Sequence, residues 1–237
     1  LMKSTGPRSM QLSERKAIIT GGPTREWLDP VRFISNPSTG KMGVAIADVC
    51  SGRARETVFI HGPIDPSLVS AKKYRCVGVE STMDMLNAVA RELCENAVLI
   101  MAAAPADYSP VSRAEMKIKK SDENLVLELK KTPDILKEVA AMKLEGRIGA
   151  VFTVGFAAET NNLEEYAIRK LNEKNLDMIC LNDVSQKGTG FGSDTNIITI
   201  FFRNGTRKDL PLISKHEVAA RIVDEIEARL PRYLISQ

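Results

Sequence analysis

The stretch DPVRFISNPSTGKMG, Asp29 to Gly43, gathers a guanidinium, a carboxamide, small hydroxyls and two glycines three positions apart into what reads as a loop. Such groups suit an anion. Glycines let backbone N–H groups approach an oxyanion, Ser38 and Thr39 add hydroxyls, and a helix beginning near Gly40 points its unpaired N–H groups the same way. The loop follows AIIT and Gly21-Gly22, where a strand ends, and in open α/β sheets ligands sit outside the carboxyl ends of strands. Capping by Ser38 or Thr39 and a tight turn at the glycine pair are the purely structural alternatives. Neither accounts for Arg32 and Asn36.

Other segments carry candidate groups. Asp107 follows small residues from Ala102 to Ala106, which leave room for a flat group against the backbone. Lys117 and Lys119 fall on one face of an alternating segment and Lys120 on the other, although lysines there also serve as solvated edge protection. Tyr166, Lys170 and Lys174 lie four apart and form one helical stripe. Those lysines suit a triphosphate, or they pair with Glu165 and Glu173. Asn161 and Glu164 resemble a capping box. His61 and His216 are isolated, and Cys50, Cys76, Cys94 and Cys180 form no CxxC pair, so a zinc site is not expected and reduced thiols are. GxSxG, HExxH and Walker A patterns are absent. Any catalysis must rest on positioning and electrostatics.

These groups need a frame. Short apolar runs, KAIIT (16–20), TVFI (57–60), YRCVGV (74–79), AVLIMAA (97–103), AVFTVGF (150–156) and LDMICLN (176–182), alternate with segments of helical spacing. Continuous apolarity suits strands covered on both faces. The pattern predicts a Rossmann-like, doubly wound α/β fold with a mostly parallel sheet. MKIKKSDENLVLELKK (116–131) alternates with period two and predicts a β-hairpin inserted near 110–131, whose apolar face, LVLEL, needs something to pack on, for which a second chain in a dimer would serve. NIITIFFRNGTRKDL predicts a second hairpin with a type I′ turn at Asn204-Gly205. SKHEVAARIVDEIEARL, with Val218, Ile222 and Ile226 on one face, predicts a closing helix. Residues 1–15 read as a linker outside the fold, and 16–237 as a single domain.

Composition narrows the classes. With 33 basic against 30 acidic residues the net charge is only +3, far from a nucleic-acid-binding balance. The longest apolar run, Ala97 to Ala106, is well short of the roughly 20 residues that a membrane span needs. A cytoplasmic protein without nucleic-acid or membrane partners is expected.

In order along the chain, ITGGPTREWLDPVRFISNPSTGKMG, AAAPADYSP, MKIKK, KTPDIL, GFAAETNN with EYAIRK and a further lysine, and LNDVS resemble the phosphopantothenate–cysteine ligase family. Together they are specific. The resemblance implies that CTP activates 4′-phosphopantothenate to an acyl-cytidylate with loss of pyrophosphate, and that the amine of cysteine then displaces CMP. It implies a divalent metal, magnesium or manganese, and a homodimer. Bacterial relatives often carry an N-terminal flavin-dependent decarboxylase as well. By resemblance Asn36 and Arg32 serve the second half-reaction and Lys117 the acylation. Gly21, Gly22, Ser38, Gly40 and Gly43 match the phosphate-binding turn and helix start. Ala103, Asp107, Pro133, Asp134, Ile135, Leu136, Phe156, Lys170, Lys174 and Asn182 match the nucleotide pocket. An amide such as Asn36 is suited to donate to a developing oxyanion, and Asp107 to accept from a cytosine amino group. Trp27 departs from the smaller apolar residue of many relatives.

Two other readings compete. Tyr166-x-x-x-Lys170 with ITGG imitates a short-chain dehydrogenase, but the long segment between the glycines and the first helix breaks the dinucleotide fingerprint. A nucleotide-binding domain without turnover would carry the same binding residues.

Overall fold

Runs of β-branched and small apolar residues bounded by glycine, asparagine and aspartate alternate with stretches of helical periodicity, and the chain folds accordingly. The structure, a computed structural model, describes residues 11–120, 124–159, 163–183 and 192–230. Along it lie β1 (Lys16–Gly21), β2 (Glu26–Trp27), β3 (Phe33–Ile34), α1 (Lys41–Ser51), β4 (Glu56–His61), β5 (Arg75–Gly78), α2 (Thr82–Glu92) and β6 (Val98–Met101). There follow β7 (Tyr108–Pro110), β8 (Leu129–Lys131), α3 (Ile135–Leu144), β9 (Phe152–Glu159), α4 (Leu163–Glu173), β10 (Met178–Asp183), β11 (Thr195–Phe202), β12 (Arg207–Ser214) and α5 (Lys215–Arg229).

The main sheet has 8 strands in the order β12-β11-β10-β9-β6-β1-β4-β5. From β10 to β5 every pairing is parallel, and β11 and β12 add an antiparallel edge. Strand order reverses after β5: the chain crosses back over β1 to lay down β6 on its other side. The carboxyl ends of β1 and β6 therefore flank a topological switch point, the usual place for a ligand crevice in such sheets.

Each parallel strand except the partly exposed edge strand β5 is buried on both faces, which is why its sequence reads as a continuous apolar run. On one face Ile19, Phe59, Ile100 and Met178 pack against α1 and α5; on the other Ile18, Ile60, Leu99 and Ile179 pack against α2, α3 and α4. In α5, Val218, Ile222, Val223 and Ile226 are fully buried, and each such aliphatic side chain contributes about 1.5–3 kcal/mol relative to exposure. Among the described residues no helix is long and apolar enough to cross a membrane, and all four cysteines are free thiols.

The structure corrects three expectations. The fold starts before Lys16: Leu12–Glu14 form a 3-10 turn, Leu12 is in the core at 2% exposed, and the buried Arg15 donates to the Asn96 carbonyl. The inserted ladder pairs β8 with β7, not with Met116–Lys120, which forms no strand. Its expected turn falls partly outside the described residues. The alternation at Leu125–Leu129 yields a strand only from Leu129 onward, because among the described residues the apolar side chains before it find little cover: Val126 is 89% exposed. Finally, the β11–β12 turn is not type I′. Only Gly205 has positive φ, at 81°, while Gly205 N–H donates to the Phe202 carbonyl and Phe202 N–H to that of Thr206. That is a type I turn with a glycine bulge, whose twist also matches a hairpin.

If Leu12 belongs to the core, L12A should destabilise the chain by about 2–5 kcal/mol. Urea unfolding checks this; an unchanged midpoint would return residues 11–15 to the status of a linker.

Candidate active site

The first helix reaches the sheet edge because nothing stands between it and β1. A Cβ on Gly43 would lie 2.8 Å from Gly21 Cα and 2.9 Å from the Thr20 carbonyl oxygen, so helix and strand touch backbone to backbone. Gly40, at φ 77°, is the N-cap of α1, and no side chain caps this helix. The hydroxyls of Ser38 and Thr39 are thus not used for capping. Ser38, Thr39 and the first residues of α1 line a cavity of about 400 Å³.

The loop before α1 is anchored by a buried carboxylate. Asp29, 0% exposed, accepts from the backbone N–H groups of Val31, Arg32 and Ile118 and from Nε and Nη2 of Arg32, the last at 2.6 Å. Burial alone would raise its pKa, but these donors outweigh it and hold the carboxyl well below the ordinary aspartate range. Arg32 also donates to the Ile118 carbonyl at 2.8 Å. Trp27 packs edge-on against Phe33 at 5.1 Å and lies beneath Arg113, lining neither of the cavities described here.

A second network fixes the turn after β6. Glu26 is buried beside the start of α2 and accepts from both N–H and Oγ1 of Thr82; the Thr82 hydroxyl contacts that of Thr24 at 2.9 Å; and Thr24 Oγ1 accepts from Ala106 N–H at 2.9 Å. Asn36 Nδ2 then donates to the carbonyls of Ala104 at 3.2 Å and Pro105 at 2.9 Å. This changes the role expected of Asn36. With its nitrogen spent on the backbone, the atom it offers a ligand is Oδ1, an acceptor.

Across the cavity from α1 stand Phe156, Tyr166, Lys170, Lys174 and Asn182, with Asn196 and Lys215 at the antiparallel edge. An adjoining cavity of about 470 Å³ shares Ala103, Pro105, Asp107, Phe156 and Lys174 and continues over Pro133–Leu136. There Asp134 caps α3 and holds Lys174 at 2.9 Å, while the ammonium of Lys170 lies 4.3 Å from the Tyr166 ring centroid. Lys174 pairs with Asp134 rather than with Glu165 or Glu173, and both lysines stand in the cavity wall. Asn161 of the expected capping box lies outside the described residues.

Of the residues singled out in the sequence, Asn36, Ser38, Gly40, Gly43, Ala103, Asp107, Phe156, Lys170, Lys174 and Asn182 line the 400 Å³ cavity, and Pro133, Asp134, Ile135 and Leu136 the adjoining one. Four of the residues expected by resemblance at the site line neither. Gly21 and Gly22 serve the approach of α1 to β1, Arg32 is bound to Asp29, and Lys117 is exposed on the inserted segment. Sequence reasoning missed Lys41, Asn196 and Lys215. One signal was available: Lys41 and Lys215 are the first residues of α1 and α5, where the helix dipole disfavours a cation by about 0.3–1 kcal/mol. Lys41 is held by Asp194 at 2.7 Å, and Lys215 donates to the Ser193 carbonyl. Burial lowers the pKa of Lys215, repulsion from Lys41 adds to that, and Asp194 opposes it.

A mostly parallel, Rossmann-like sheet with a lysine-lined cavity at its switch point places the chain among the doubly wound α/β proteins. Within that class the chain belongs to the DNA/pantothenate metabolism flavoprotein C-terminal domain family, which its residues 12–230 match. It is 45% identical over 221 residues to the coenzyme A biosynthesis bifunctional protein CoaBC of Bacillus subtilis, covering 93% of this chain and 53% of that protein. Against CoaBC of Escherichia coli K12 the identity is 43%, over 92% of this chain and 53% of the relative. The chain thus spans about half the length of these relatives. The crystal structure of the C-terminal domain of a CoaBC superposes with TM-score 0.73 at 39% identity, covering 92% of this chain and 97% of that one. A flavoprotein of this family from Streptococcus pneumoniae gives TM-score 0.74 at 25% identity, over 90% and 99% of the two chains.

Because the Asp29 carboxyl titrates lower when folded, its contribution is complete above the ordinary value of about 3.9 and is lost as pH falls through the lower folded value. D29N should therefore lower the Tm at pH 7, with the gap to the parent narrowing on acidification below the ordinary carboxylate range. A gap of constant size across that range would show that the charge is not what anchors the loop.

Proposed function

We propose that this chain is the ligase part of a coenzyme A biosynthesis protein, joining 4′-phosphopantothenate to cysteine at the expense of CTP. Family membership and the CoaBC relatives support the ligase assignment. The observation that carries the nucleotide reading is the cavity itself: four lysines, Lys41, Lys170, Lys174 and Lys215, and the uncapped start of α1 surround one space with Asp107 at its mouth. That charge balance suits a polyanion.

The reaction has an electrostatic problem that such a wall addresses. The carboxylate of phosphopantothenate must attack the α-phosphorus of CTP, anion against anion; pyrophosphate leaves, and the acyl-cytidylate is a mixed anhydride with a good leaving group. Lysines and helix N–H groups offset the repulsion and the charge that develops on the departing oxygens. The adjoining cavity, with Asp107, Phe156 and the start of α3, is suited to the base and ribose, and Asp107 to accept from the cytosine amino group. A magnesium or manganese ion would neutralise part of the phosphate charge. In the second step the amine of cysteine attacks the acyl carbon and CMP departs. Asn36, through Oδ1, would accept from that amine and orient its lone pair; a positioned polar contact of this kind is the scale of effect that alters turnover strongly.

We further propose a homodimer in the cytoplasm, with a flavin-dependent decarboxylase joined to the ligase in the whole protein. The inserted segment supports the dimer: Met116 is 81% and Val126 89% exposed, next to exposed Val111, Leu125 and Leu129. A second copy would cover that face. Lys117, exposed beside it and outside its own chain's cavity, would then serve the partner's site. Arg32, bound to Asp29 and the Ile118 carbonyl, would hold the base of this segment in place for that contact.

The decisive assay is pyrophosphate release from CTP with magnesium, with and without 4′-phosphopantothenate and cysteine. Release that needs phosphopantothenate and turns over with cysteine is expected; CTP binding without release under any combination would make the chain a non-catalytic nucleotide binder, and a nicotinamide-dependent reaction would favour the dehydrogenase reading. N36D keeps an acceptor oxygen but loses the Nδ2 donors that hold the side chain to the Ala104 and Pro105 carbonyls; it should bind CTP and release pyrophosphate once, yet form product about 100-fold more slowly through misplacement of that oxygen. Mixing inactive K117A with inactive N36D should restore roughly a quarter of the parent activity through random pairing in a two-fold dimer. A monomer by light scattering, or no restored activity, would refute the shared site.

A further inference from the structure

Two amide oxygens in the cavity have nothing to accept from. Asn182 Oδ1 and Asn196 Oδ1 are buried without a hydrogen-bond partner among the described residues, and Asn196 is 2% exposed as a whole. They stand on neighbouring strands: Asn182 pairs with Ile198, two residues along β11 from Asn196, and both side chains line the 400 Å³ cavity. An orphaned buried acceptor is costly, by about 1–3 kcal/mol. Two in one cavity point to a ligand that supplies a donor or a cation.

The neighbouring charges restrict what that ligand is. Lys41, Lys170, Lys174 and Lys215 line the same space, so a simple cation or a free ammonium compound would be repelled. The lysines do not satisfy the amides either, since Lys41 is held by Asp194, Lys215 by the Ser193 carbonyl and Lys174 by Asp134. A cation can enter only together with its own excess of negative charge. Among the described residues there is no cluster of three or more His, Cys, Asp or Glu side chains that would hold a metal unaided.

We propose that Asn182 and Asn196 form the metal end of the site: they give their Oδ1 atoms, directly or through bound water, to a divalent cation that arrives on a nucleotide polyphosphate. The lysines meet the phosphate oxygens and the amides meet the metal. Hard cations of this class take neutral carbonyl oxygens and water as ligands and are commonly held by few protein groups plus phosphate. The inference rests on the nucleotide reading above and adds where the polyphosphate and its metal lie.

The test uses Mn2+ as the metal. Calorimetry should show Mn2+–CTP binding to N196L about 10–100-fold more weakly than to the parent chain, the scale of a lost metal contact, while metal-free CMP binds both alike. In the parent chain itself, Mn2+–CTP should broaden the assigned NMR signals of the Asn182 and Asn196 side-chain amides and Mg2+–CTP should not. Equal Mn2+–CTP affinity in N196L, an equal loss for CMP, or unbroadened amides in the parent would each overturn the proposal. Failure of the parent to bind CTP with or without metal would overturn the nucleotide reading together with it.

Discussion

The distance between α1 and β1 is the constraint on which the rest of the site depends. Backbone contact between Gly43 and the Thr20–Gly21 end of β1 leaves no room for a Cβ on Gly21 or Gly43. Pushed outward by even a methyl group, α1 would carry Gly40, Lys41 and the Ser38–Thr39 hydroxyls away from the carboxyl ends of β1 and β6. The N–H groups of α1 act on a ligand only within its first turn, where the dipole is felt. The contact also reaches across the sheet, because the ring of Phe59 on β4 closes over Gly21 and Gly43. One small-residue seam thus sets both the packing of the first crossover and the position of the anion cradle.

The segment between β1 and α1 is long for a crossover and stays in place by burying polar groups rather than apolar ones. Asp29 collects donors from three backbone positions and from Arg32, while Glu26, Thr82 and Thr24 pass hydrogen bonds to Ala106. Buried carboxylates are tolerable only when so fully hydrogen-bonded. The consequence is a rigid turn after β6, against which Asn36 is pinned through its nitrogen.

Charge is arranged against local preference at the cavity. Lysines open α1 and α5, at the ends where cations are disfavoured, and Lys215 is buried near Lys41. Asp194 compensates only part of this. Such local frustration is expected at functional sites more than elsewhere. A polyanion with its metal would relieve the lysines and the orphaned amides together.

The apolarity of six short runs was sufficient to define the parallel strands, since all but the edge strand β5 are buried on both faces and need no partner to declare themselves. The glycines, Asn36, Asp107 and the lysine stripe were legible as candidate chemistry for a similar reason: residue type and spacing are local properties. The pairing of β7 with β8 was not legible, because the alternation at Leu125–Leu129 specifies an apolar face without saying whether this chain covers it. Nor could the sequence show that Arg32 turns to Asp29, that Asn36 presents its oxygen, or that Lys41, Asn196 and Lys215 join the cavity. Arg32 and Asp29 are only three residues apart, but their pair is completed by the distant Ile118, and the other facts depend on contacts between residues far apart in sequence. Only the crossovers of the sheet decide which strand ends and helix starts share one space.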